Sequence, residues 1–81
     1  MILEKLRERK RFTNSEKLIA EYVLKHTEQL YQLSVEELGK ETYTSKATVI
    51  RLCKKLEVNS YQEFKRQVEF EYNELSRISS L

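Results

Sequence analysis

The chain has 81 residues, with 15 Lys and Arg against 13 acidic residues, all of them Glu, a net charge of +2 and 40% apolar residues. This length supports one small domain with a thin core and no spare interior for a cofactor pocket. Apolar runs of at most three residues exclude a bilayer-spanning helix or signal peptide, while a single cysteine (Cys53), a single histidine (His26), one Gly and no Pro exclude an internal disulfide and a structural zinc set and argue against sandwiches, barrels and glycine-rich phosphate loops. Helices remain. The expected architecture is all-α, a small bundle of five or six short helices, in a soluble, intracellular protein with no membrane partner and no bound cofactor.

In chain order, the first helix is expected over about residues 2–10. Thr13, Asn14, Ser15 and Glu16 form a capping box, in which the Thr hydroxyl accepts from the third helical N–H and the Glu reaches back. It predicts a helix over about 14–26, with Leu18, Ile19, Tyr22, Val23 and His26 as an apolar stripe and His26 as the boundary residue. Thr27 reads as a plain N-cap for a single turn over about 28–32, and Ser34 with Glu37 is a second capping box opening a helix over about 35–41. Ser45 caps a helix over about 46–56, and Ser60 with Glu63 opens the last, over about 61–76. On that last helix Tyr61, Phe64, Val68, Tyr72 and Leu75 recur at helical spacing and read as core; Phe70 falls off the stripe, an exposed aromatic and a dimer-contact candidate.

Charge is unevenly distributed. Residues 1–11 carry +3, residues 12–44 carry −3, residues 45–66 carry +4 and residues 67–81 carry −2. A basic block within an otherwise acidic chain points to a local anionic partner or to a solvated lysine face. The block coincides with the most informative spacing in the sequence, a short helix, a turn at Thr42, Tyr43 and Thr44, and a second helix capped by Ser45, which is helix-turn-helix spacing. Leu38 is expected to lock the first of these helices onto the core, and Gly39 to let the two approach closely. At 100° per residue, Val49, Leu52, Cys53 and Leu56 share one side of the second helix, and Ala47, Thr48, Arg51, Lys54 and Lys55 the other. That outer face suits a major groove: Ala can touch a thymine methyl, Thr can hydrogen-bond a base or phosphate, Arg can grip guanine with two bonds, and Lys pairs with phosphate.

Any amphipathic helix has a polar outside, so it is the hairpin spacing and Gly39 that favour a reader over plain surface. Cys53, on the apolar stripe with no partner to activate it, reads as a buried, inert thiol. Glu36, Glu37 and Glu41 belong to one short exposed helix and read as surface rather than a catalytic carboxylate pair. Nothing points to an enzyme.

The segments from Phe12 to Leu24, Leu33 to Leu38, Ser45 to Leu56 and Tyr61 to Lys65, in this order and with these gaps, resemble the N-terminal DNA-binding domain of RpiR-type bacterial transcriptional regulators. The resemblance covers about residues 1–75. It implies a double-stranded DNA partner, a homodimer, and control of carbohydrate or amino-sugar genes by a phosphosugar effector bound in a further, sugar-isomerase-like C-terminal domain. That domain is not within these 81 residues, which read as a single helix-turn-helix domain, either an excised module or the ordered part of a longer chain. By resemblance, Ser45, Lys46, Ala47, Thr48 and Arg51 map to the DNA-facing start and middle of the recognition helix. Two positions depart from the family pattern: Tyr43 in the turn and Glu57 after the recognition helix stand where the family usually has Gly. A left-handed backbone is costly for such residues, so either the turn has another shape or strain is tolerated.

The reading is that Arg51, Thr48 and Ala47 contact base edges, Ser45, Lys46, Lys54 and Lys55 hold phosphates, and two copies bind a two-fold operator. The alternative is a helical protein-interaction module whose basic helix docks an acidic partner.

Overall fold

The computed structural model describes residues 1–79, with side chains described for residues 1–77. Among the described residues there are six helices and no strand: α1 (Ile2–Glu8), α2 (Asn14–Lys25), a 3-10 helix (Thr27–Gln32), α3 (Val35–Glu41), α4 (Lys46–Lys55) and α5 (Tyr61–Ser79). None is long and apolar enough to cross a membrane.

Local chemistry sets most boundaries. The first helix stops at Glu8, short of the expected residue 10, because Arg9 turns left-handed (φ 56°) and closes the helix with its N–H on the Lys5 carbonyl. Arg11 is left-handed too, at φ 63°, and the chain re-enters helix at Thr13, where both bonds of the capping box form: the Thr13 hydroxyl accepts from Glu16 N–H (3.2 Å) and Glu16 accepts from Thr13 N–H (2.8 Å). Ser34 and Glu37 do the same for α3. Ser60 accepts from Glu63 N–H at 3.1 Å, while the Glu63 carboxylate pairs with Arg66. Thr27 departs from expectation. Its hydroxyl donates backwards to the Val23 carbonyl (2.8 Å), satisfying the end of α2 instead of the start of the 3-10 helix, whose N-cap is His26. Such i−4 bonding is the usual competitor to N-capping for a threonine.

The core gathers one stripe from each element: Leu6 of α1, Ile19, Ala20 and Val23 of α2, Leu30 of the 3-10 helix, Leu38 of α3, Val49 and Leu52 of α4, and Phe64 and Val68 of α5. Leu18 is not among them. It is 47% exposed, and the buried stripe of α2 runs instead through Glu16, Ile19, Ala20 and Val23. On α5, Tyr61, Phe64 and Val68 are buried, and Tyr72 and Leu75 pack at its edge. The Tyr61 hydroxyl donates to the Leu33 carbonyl at 2.8 Å, and burial raises its pKa. Cys53 is buried, and burial pushes its thiol up to about 11, so it stays protonated at neutral pH. A feature without a signal in the periodicity joins the ends of the fold: the buried Glu71 carboxylate of α5 accepts from the N–H groups of Ile2 (3.0 Å) and Leu3 (2.9 Å), at the first turn of α1. A carboxylate there satisfies donors that have no intrahelical partner and complements the positive helix end.

Candidate nucleic-acid interface

Five interactions set the angle between α3 and α4. Leu38 is fully buried and fixes α3 to the core. Gly39 follows it where α4 begins: a Cβ built there would lie 2.9 Å from the Ser45 carbonyl carbon and 3.1 Å from the Lys46 nitrogen, both backbone atoms that cannot swing aside. The Thr44 N–H donates to the Gly39 carbonyl (2.8 Å), and the Thr42 hydroxyl donates to the Leu38 carbonyl (2.8 Å) while standing 2.8 Å from the Thr44 hydroxyl. The turn between them keeps the left-handed geometry usually given to Gly. Tyr43 has φ 57°, and Glu57, just past α4, has φ 63°. Tyr43 is 93% exposed, so packing of its ring does not explain why a tyrosine is tolerated there.

The helix α4 is entered through Ser45, whose hydroxyl accepts from Thr48 N–H at 3.2 Å. Val49, Leu52 and Cys53 bury its inner side. Ser45, Lys46, Ala47, Arg51, Lys54 and Lys55 are exposed, as expected. Thr48 is the correction: it is only 6% exposed and does not stand on the outer face. The core side of α4 is centred between Val49 and Leu52, and Thr48 lies on the flank, about 70° round the axis, within reach of its neighbours. Its hydroxyl lies 3.0 Å from the Ser45 hydroxyl and accepts from Arg51 Nη2 at 3.2 Å. Thr48 thus ties the helix cap to the Arg51 guanidinium.

The lysines divide by what already holds them. Lys46 makes an exposed pair with Glu36 at 3.4 Å, and the Glu36 carboxyl is held below the usual range by a backbone N–H bond and by that ammonium. Lys55 is anchored within the protein. Its Nζ donates to the Arg11 carbonyl and to the buried Glu16 carboxylate, each at 2.6 Å, and lies 6.0 Å from the centre of the Phe12 ring. Burial opposes ionisation of Glu16, but the hydrogen bond and charge of Lys55, with the Thr13 N–H and hydroxyl, outweigh it and hold the carboxyl below its ordinary value. Glu16 therefore has two tasks, closing the capping box and seating Lys55, and only the first is visible as a local spacing. Ile50, on the other flank of α4, is 37% exposed beside Arg51. Its place on the outer surface was open to the same 100° arithmetic that selected Ala47 and Arg51.

The outer side of α4 thus presents the Ala47 methyl, the Ile50 branch, an oriented guanidinium, the Lys46 ammonium paired with Glu36 and the exposed Lys54 ammonium, on a helix braced from within. Comparison with known proteins agrees with this geometry. A family model described as "Helix-turn-helix domain, rpiR family" matches residues 1–75. The chain is 39% identical over 57 residues to an HTH-type transcriptional regulator of Caldanaerobacter subterraneus, a match covering 70% of this chain and 20% of that protein. It is 37% identical over 54 residues to the regulator YbbH of Bacillus subtilis, covering 67% of this chain and 19% of that protein. A Thermotoga maritima regulator is 33% identical over 66 residues, 79% of this chain and 24% of that protein. The chain spans about a fifth of the length of the first two of these relatives. No solved structure matches. The outward-facing helix and these likenesses agree: the chain belongs to the rpiR family of helix-turn-helix domains, the DNA-binding units of transcriptional regulators.

Proposed function

We propose that this domain binds a specific duplex sequence through the outer face of α4, with Arg51 and Ala47 at base edges and Ser45, Lys46 and Lys54 at phosphates. Thr48 acts through Arg51, whose guanidinium it orients, and Lys55 holds the α1–α2 loop against the end of α4 and adds positive charge there. The observation that carries the reading is the Arg51–Thr48 bond on an exposed face. A guanidinium held at one terminal nitrogen keeps its remaining N–H donors for a two-bond contact with guanine and loses less freedom on binding.

Two copies on a two-fold operator complete the reading, because one module of this size buries little surface on DNA. The regulated genes are those of carbohydrate or amino-sugar metabolism, in the cytoplasm, and a phosphosugar effector acts through a separate domain of the longer relatives. The test is a fluorescence titration with duplex DNA at two salt concentrations. A DNA reader shows log affinity falling linearly with log salt; salt-independent binding, or none, would favour docking of an acidic protein partner instead.

A further inference from the structure

The face of α5 that turns away from the core carries a pattern that matches itself when reversed. Taking 100° per residue, Glu63, Arg66, Gln67, Phe70, Glu74 and Arg77 fall within about 100° of one another, on a face centred about 130° round the axis from the buried Phe64 and Val68. Phe70 is 65% exposed at the middle of this stripe, and Met1, also exposed, lines the same shallow cleft. Arg66 lies four residues before Phe70 and Glu74 four after it; Glu63 lies seven before and Arg77 seven after. The signs are opposite at each equal step. Within one chain these charges satisfy one another along the helix, Arg66 with Glu63 and Arg77 with Glu74, each at 2.9 Å. Such exposed pairs are weak and exchange readily for others.

We infer that this face of α5 is the surface on which two copies of the chain associate, antiparallel about a two-fold axis at Phe70. In that arrangement Phe70 meets Phe70 of the second copy, Arg66 stands level with its Glu74, and Glu63 with its Arg77, so the same patch serves both copies, as a two-fold interface requires. A parallel arrangement would instead put like charges side by side, which disfavours it. None of the residues lining the cleft belongs to α4, so its occupation leaves the DNA-facing helix uncovered. The inference supplies the surface for the dimer proposed above. A single helix face lies well below the roughly 800 Å² per partner of standard interfaces, so the association is weak and concentration-dependent.

The test is sedimentation equilibrium of the 81-residue chain up to about 1 mM, the weak end of the affinity scale. The expected result is a reversible monomer–dimer equilibrium whose association constant falls about tenfold or more in Phe70→Glu, as for a central aromatic anchor. Arg66→Glu and Glu74→Arg should each weaken it, and the double variant should restore it. A chain that stays monomeric over the whole range overturns the proposal. So does an undiminished association in Phe70→Glu, or a double variant with native helicity and melting that does not recover. Titration of Phe70→Glu with a half-site duplex separates this claim from DNA binding: unchanged half-site affinity is expected, whereas loss of half-site binding with intact folding would mean that the face touches DNA and would also overturn it. If neither the parent chain nor the variant bound DNA, the DNA reading would fail while the dimer stood.

Discussion

Single residues set the strain and charge of this domain. Tyr43 and Glu57 hold left-handed backbone with ordinary side chains, at φ 57° and 63°, and the Tyr43 ring lies almost wholly in solvent. Replacing Tyr43 by Gly should relieve up to about 1 kcal/mol, partly offset by the greater freedom of Gly in the unfolded chain. Thermal melting of Tyr43→Gly should show a small rise; a clear fall would mean that the ring stabilises the turn. Lys54 and Lys55 are neighbours with different consequences. Lys55→Ala strips the buried Glu16 of its counter-charge and should cost about 1–3 kcal/mol of stability. Because the folded pKa of Glu16 is depressed, the stability it contributes is full above the ordinary carboxylate range and is lost as pH falls through the folded value. The parent and Lys55→Ala should therefore differ most at neutral pH and converge in acid, which melts across pH 3–7 would show as converging curves (pH limits of about this span bracket the carboxylate range). Lys54→Ala should melt like the parent and lower the salt slope of DNA binding by about one. Equal stability of the parent and Lys55→Ala at neutral pH would count against the Glu16 pair.

At the scale of elements, the α3–α4 hairpin is set by one missing side chain. Gly39→Ala puts a methyl group against the backbone of Ser45 and Lys46, so α4 must shift or the pair must loosen. A cost of about 1–3 kcal/mol follows from overpacking, and DNA affinity should fall further than the unfolded fraction explains, since the shift moves the reading face. Melting with duplex titration of the same sample checks both; native stability would show that the hairpin has slack. This element was legible in sequence because its signals are local: Ser34 with Glu37, Gly39, and Ser45 three residues before Thr48 all act within one or two turns. The structure buries Thr48 and exposes Leu18, against the sequence pattern, because spacing and axial angle give the side of a helix but not where its neighbours end. Thr27 departs from its expected capping role for another reason: its hydroxyl has two backbone targets within reach, and it bonds the end of α2.

For the whole molecule, closure depends on contacts that no local pattern encodes. Glu71 reaches the first turn of α1 across 69 residues of sequence, and Lys55 reaches Glu16 across 39. A buried acid on a helix otherwise read by its apolar stripe looks like surface until its partner is known. Glu71→Ala leaves two buried N–H groups without a partner and should cost about 2–5 kcal/mol in all, with early hydrogen exchange in α1; unchanged protection of α1 would contradict this account of closure. The central claim, that one face of α4 folds the domain and the other reads DNA, is most directly tested by comparing Leu52→Ala and Arg51→Ala, adjacent in sequence but about 100° apart around the axis, Leu52 on the core side and Arg51 on the outer face. The measurement is titration against a duplex selected from a random pool by the parent chain, alongside thermal melting. Leu52→Ala should lose about 2–5 kcal/mol of stability. Arg51→Ala should melt within about 0.5 kcal/mol of the parent yet bind the selected duplex about 1–3 kcal/mol more weakly, with relaxed preference at one base pair. Equal affinity of Arg51→Ala and the parent for that duplex would contradict the claim.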